Sequence, residues 1–118
     1  MRQKTGRGKN YTMRTTTEIL EEIGRFTPEN GNWLGLEVLL AELWKSRPSQ
    51  EWVNPLLAVF ERFPDEDGAG VMWSIIHGLE TIDGYEPILE QSARARPTWL
   101  KSAMLKRIAN AKKHAPNQ

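Results

Sequence analysis

The stretch whose reading decides the fold is WLGLEVLLAELWKS, residues 33–46. Leu36, Leu39, Leu40 and Leu43 recur at i, i+3, i+4 and i+7, the spacing that places four leucines on one side of an α-helix. The same period appears on both sides of it. Upstream, Thr15-x-x-Glu18 has the form of a capping box and opens a segment, 15–26, with Ile19, Leu20, Ile23 and Phe26 on one side. Pro28 and the run 29–32 separate the two. Downstream, Arg47-Pro48-Ser49 ends the leucine helix, and Ser49 is suited to cap the next. Residues 50–63 follow with Val53, Leu56, Leu57, Phe60 and Phe63, and Pro55 predicts either a kink or a later helix start.

Pro64-Asp65-Glu66-Asp67-Gly68 reads as an acidic turn whose carboxylates favour the positive end of the following helix. That helix, over 69–82, stripes Met72, Ile75, Ile76, Leu79 and Ile82. Gly84 breaks it. A fifth helix starts at Tyr85 with Ile88, Leu89 and Ala93, and Pro97 suits the first turn of a sixth carrying Leu100, Met104, Ile108 and Ala111. No alternating β-branched run bounded by hairpin turns is present, so the chain is predicted to be all-α. Helix starts near 15, 33, 50, 69, 85 and 97 group as three helical hairpins, close to the period of about 40 residues of HEAT-type stacks. A compact helical bundle is the competing architecture. Trp33, Trp44, Trp52 and Trp99 flank the stripes and are expected in the core.

A chain of 118 residues is expected to form one domain. It has no cysteine, which excludes disulfides, thiol nucleophiles and thiolate metal sites. No apolar run approaches the roughly 18–20 residues that a membrane span needs. The basic start is not followed by the apolar segment of a secretory leader, and a cytoplasmic location is expected. The net charge of +1 conceals a segregation. Residues 1–14 carry Arg2, Lys4, Arg7, Lys9 and Arg14 without an acid, and read as a basic arm. Residues 15–93 hold all 15 acids against Arg25, Lys45, Arg47 and Arg62, a balance of −11. Residues 94–118 carry seven cations and no acid. The expected organisation is therefore the arm 1–14, one helical domain over 15–113, and a polar tail 114–118. Such a separation either steers a charged partner or is spent on pairing within the fold.

Catalysis has little support in the residues. Only His77 and His114 are available as histidines, and no HExxH, phosphate-loop or GxSxG pattern occurs. Ser74, His77 and Glu80 share one helical row, but groups stacked along a helix do not converge on one substrate atom. Asp65, Glu66 and Asp67 lack the alternating ligands and distal Glu of a calcium loop. No catalytic residue, cofactor or metal site is expected. A binding surface is better founded. Trp73, His77 and Glu80 lie beside the apolar stripe of the fourth helix, between the acidic turn and Asp83, Tyr85 and Glu86. Aromatic residues among charges are the composition of a protein-interface hot region. The basic ends leave a second reading open, a nucleic-acid-binding accessory protein, and a general helical adaptor is a third.

The string GVMWSIIHGLETIDGYEPILEQSARARPTWLKSAMLKRIANA, residues 70–111, resembles the helical immunity proteins of bacterial polymorphic-toxin and contact-dependent growth inhibition systems. The features that carry the resemblance are Asp67-Gly68, His77 with Glu80, Tyr85, Pro97-x-Trp99 and Arg107-Ile108-x-Asn110. The resemblance implies a protein without catalytic activity that binds a cognate toxin domain one-to-one and blocks its active site or substrate groove, the toxin being a nuclease in many such systems. The expected contact residues are Asp65, Glu66, Asp67, His77, Glu80, Asp83 and Glu86, with Trp73 and Tyr85 as anchors.

Overall fold

The computed structural model describes residues 14–113. Those residues form six helices: α1 (Thr16–Arg25), α2 (Leu34–Leu43), α3 (Val53–Arg62), α4 (Val71–Leu79), α5 (Tyr85–Ala95) and α6 (Trp99–Lys113). Short 3-10 turns, Gln50–Trp52 and Gly68–Gly70, lead into α3 and α4. Among the described residues the only extended pairing is an isolated bridge between Glu29 and Asn32, so the class is all-α. Most of the basic arm, the polar tail and His114 lie outside the described residues.

Local chemistry sets the helix ends. The Thr15 hydroxyl accepts from the Glu18 N–H at 3.1 Å, and the Glu18 carboxylate accepts from the Thr15 N–H at 2.9 Å, completing the capping box. Ser49 accepts from the Glu51 N–H at 3.2 Å and starts the turn that feeds α3. Pro55 then falls in the first turn of α3, where its missing N–H costs nothing, and of the two expectations the later start is observed: the α-helix begins at Val53 rather than at residue 50. The start of α6 differs from expectation. Thr98 accepts from the Lys101 N–H at 3.1 Å, so the helix begins at Trp99 and Pro97 stands before the cap. Likewise α4 is shorter than 69–82, because the 3-10 turn occupies its first residues and a turn replaces its last ones.

Helix α3 is the hub. It contacts α1, α4, α5 and α6, while α1 packs on α2, α2 on α4, and α5 on α6. The pairing order of three hairpins is present, but α3 reaches both helices of the last pair. Contacts of α1 with α3, of α3 with α5 and of α2 with α4 run between successive pairs, and α3 is the helix that takes part in most of them. Leu36, Leu40 and Leu43 of α2 meet Leu56, Leu57 and Phe60 of α3 and Met72, Ile75 and Ile76 of α4 in one buried core. Trp33 and Trp52 join it. Trp44 is only half-buried, and Trp99 is 51% exposed, against the expectation of a core position. Leu100 and Met104 take the inward face of α6, and Trp99, the first residue of that helix, is left on the outer one.

Two side chains at the end of α3 fasten other helices to it. Arg62 donates to the Ile23 carbonyl at 3.1 Å, which also accepts from the Phe26 N–H at 3.2 Å, and to the Phe26 carbonyl, so it ties the end of α1 to α3. Its guanidinium also lies 4.8 Å from the centre of the Phe63 ring. Glu61, one residue earlier, accepts from Lys101 Nζ at 2.7 Å. Lys101 is completely buried, and its ammonium also donates to the carbonyls of Arg96 at 2.6 Å and Ser92 at 3.4 Å at the end of α5. One ammonium thus joins α3, α5 and α6.

The acidic turn is pinned from beneath by Trp33, which meets Phe63 edge-on at 5.1 Å and Phe26 at 5.9 Å. Gly68 lies against this indole with φ +59°, and a Cβ there would sit 2.4 Å from Val71 Cγ1 and 3.2 Å from the Trp33 ring. Gly68→Ala is expected to cost about 2–4 kcal/mol, from the left-handed backbone and from overpacking. Gly24→Ala, in α1 with open space around the new methyl, is expected to be neutral or stabilising by up to about 1 kcal/mol. Urea midpoints of the two variants give the comparison.

Candidate protein-binding face

The residues singled out from the sequence distribute along and beyond α4. Trp73, His77 and Glu80 are spaced i, i+4 and i+7 and form one row. Trp73 is half-buried and His77 exposed, with ring centres 6.5 Å apart. Asp65, Glu66 and Asp67 precede the helix, and Asp83, Tyr85 and Glu86 follow it. Nine helical residues span about 13 Å at the usual rise. The two acidic groups therefore flank the aromatic row from opposite ends and do not form one cluster.

The acids differ in what they hold. Asp65 and Glu66 are exposed and have no ion pair among the described residues. Asp67 is exposed too, but its carboxylate accepts from the Ala69 N–H at 3.0 Å and caps the turn into α4. Glu80 is gripped by Arg107 of α6 through two bonds, Nε to Oε2 at 2.7 Å and Nη2 to Oε1 at 2.9 Å. Asp83 points its backbone carbonyl at Gln50 Nε2, 2.9 Å away, and its side chain is free of ion pairs among the described residues. Tyr85 and Glu86 line a groove with Glu80 and Arg107. Burial pushes the Tyr85 phenol above its ordinary range, and the nearby carboxylates of Glu80 and Glu86 push it the same way, so it remains a neutral hydrogen-bonding group at neutral pH.

Pairing within the fold consumes part of the charge segregation. Arg14, at the end of the arm, bridges Glu22 and Glu42. Hydrogen bonding from Arg14 holds the Glu42 carboxyl below its ordinary value despite the opposing effect of desolvation. Glu61 pairs with Lys101 and Arg96, and Glu80 with Arg107. Four acids of the middle segment are thus matched to four cations of the ends. The other eleven have no ion pair among the described residues, and of these Asp65, Glu66, Asp83 and Glu86 flank the Trp73–His77 row.

Two features went unread in the sequence. Lys101 carries no sequence signal of burial, because an apolar lysine stem and a solvent-facing lysine look the same in a periodic pattern. The second feature is a groove of about 580 Å³ beside the row, between α4 and the connection from α2 to α3. Trp44, Pro48 and Trp52 form one wall, and Ser74, His77 and Thr81 line the helix side. Gly78, a poor helix former inside α4, was the available hint. A Cβ there would lie 2.3 Å from Trp44, so the bare backbone is what lets the indole seat against the helix.

No set of three or more His, Cys, Asp or Glu among the described residues is placed to hold a metal ion. Among those residues no helix is long and apolar enough to cross a membrane. Comparison with protein-family models, curated proteins and solved structures returns no match.

Proposed function

We propose that this chain is a protein-binding protein whose working face is the Trp73–His77 row with its acidic flanks, and that it acts as an immunity protein against a bacterial toxin domain. The observation that carries the first part is the position of four acids that have no ion pair among the described residues. Asp65 and Glu66 at one end of α4, and Asp83 and Glu86 at the other, frame a half-buried indole and an exposed imidazole. Unpaired carboxylates around an aromatic centre suit a basic protein surface, with the acids raising the encounter rate and the aromatics providing the desolvated contact. A nuclease presents such a surface where it holds its substrate. Covering it stops the enzyme without any chemistry by the inhibitor. The toxin assignment rests on the resemblance over residues 70–111.

Co-expression tests it. The toxin domain is sought in the gene upstream, at the C-terminus of a large secreted protein, and expressed alone and together with this chain. Growth restored by the chain, and a one-to-one complex on size-exclusion chromatography, are expected. Failure to restore growth rejects the immunity role.

The nucleic-acid reading is the weaker alternative. Arg96, Lys101 and Arg107 are engaged with acids of the fold, leaving Arg94, Lys106, Lys112 and Lys113 of the described C-terminal cations for phosphates. Binding of RNA or DNA that weakens steeply with salt would favour it.

A further inference from the structure

We infer that the groove between α4 and the α2–α3 connection is the socket for an uncharged aromatic anchor residue of the partner, a tyrosine in its chemistry. The inference rests on the protein-binding reading above and specifies what the partner inserts. Three observations support it.

The walls are aromatic and fixed. Trp44 and Trp52 stand with ring centres 6.1 Å apart and planes inclined by 40°, too close to admit a ring between them, so an occupant lies along their edges and against Pro48. Trp52 is 3% exposed, and Trp44 is held by its seat on Gly78. The socket is built into the fold, which spares an occupant the cost of ordering it.

The lining contains no lysine, arginine, aspartate or glutamate. This is unusual on a surface where four other grooves carry Glu80 and Arg107, Arg14 and Glu42, Arg94, or Arg96. An ammonium, guanidinium or carboxylate entering this groove would shed water and meet no counter-charge. A neutral ring loses nothing of that kind.

The polar groups that are present suit a phenol better than a plain hydrocarbon. Ser74 and His77 offer a hydroxyl and an imidazole from the same face of α4. Thr81 donates its hydroxyl to the Gly78 carbonyl at 2.6 Å, which leaves its oxygen as an acceptor at the mouth. A volume of about 580 Å³ lies within the roughly 300–1,000 Å³ of small-molecule pockets and accommodates a tyrosine with part of its backbone. His77 belongs to both the socket and the row with Trp73, so an occupant would stand inside the proposed contact face rather than apart from it.

Side-chain analogues test the socket on the isolated full chain. p-Cresol is titrated against the protein while the indole N–H signals are followed by nuclear magnetic resonance, with propylguanidinium and butylammonium as charged comparators. Saturable shifts of the Trp44 and Trp52 signals with p-cresol are expected, with Trp33 and Trp99 unmoved and at least tenfold weaker responses to either cation. Trp44→Ala would risk the packing on Gly78. Thr81→Phe instead narrows the mouth from an exposed position and is expected to weaken p-cresol at least tenfold with the fold intact. Equal responses to the cations, no saturable shift, or indifference to Thr81→Phe overturns the inference. Because the readout needs no toxin, a socket that binds p-cresol in a chain that fails to restore growth would separate failure of the immunity role from failure of this assignment.

Discussion

Lys101→Ala is expected to lower the unfolding free energy by about 3–5 kcal/mol, the scale for breaking a buried ion pair. The side chain is fully buried, so truncation removes its packed stem and its charge together. It also strips donors from the carbonyls of Arg96 and Ser92, which close the end of α5, and leaves Glu61 with only the exposed Arg96 as partner. Lys101→Met separates these effects. It keeps most of the volume and loses the charge with its donors, so about 1–3 kcal/mol is expected. Glu61→Gln retains an oxygen that can accept from the ammonium and is expected to cost less than Lys101→Ala. Urea unfolding of the three variants orders them. Equal stability of Lys101→Ala and the parent chain would mean that the ammonium does not hold α3, α5 and α6 together.

The second large effect concerns association. On the function proposed above, Asp65→Asn, Glu66→Gln and Asp83→Asn in one chain are expected to slow binding to the proposed toxin partner by about tenfold or more at low salt, with dissociation little changed. The choice of residues follows from the structure. Asp67 is kept because its carboxylate caps the turn into α4, and Glu80 because Arg107 holds it; changing either would confuse a loss of charge with a loss of fold. Stopped-flow mixing over a range of salt concentrations reads both rates. A change in dissociation instead would place these carboxylates inside the contact as desolvated pairs, and unchanged rates would remove the acidic flanks from the mechanism.

These experiments depend on information that the sequence carried unevenly. The helices were legible because their signals are local. A 3.6-residue stripe, a Thr-x-x-Glu cap and a Pro or Gly break act within one or two turns. Boundaries failed where two local signals competed, as at Pro97 and Thr98, where the hydroxyl cap prevailed. Trp99 was misplaced for a different reason. An indole beside a stripe counts as apolar in any pattern, and only the direction in which α6 meets its neighbours decides whether it is covered. The face around Trp73 and His77 was legible as a row on one helix, but its two acidic ends could not be assigned to one patch or two without the length of α4.

What the sequence determined by itself was the all-α class, the turn chemistry and the segregation of charge into a basic, an acidic and a basic segment. What only the tertiary structure decided was how that charge is used. Arg14, Arg96, Lys101 and Arg107 return to Glu22, Glu42, Glu61 and Glu80, pairs separated by up to 40 residues in the chain. Asp65, Glu66, Asp83 and Glu86 have no ion pair among the described residues and stand at the two ends of α4. The physical reason is that helix formation reads neighbours within a few residues, whereas a counter-ion or a socket wall is whatever the packed core brings within a few ångströms.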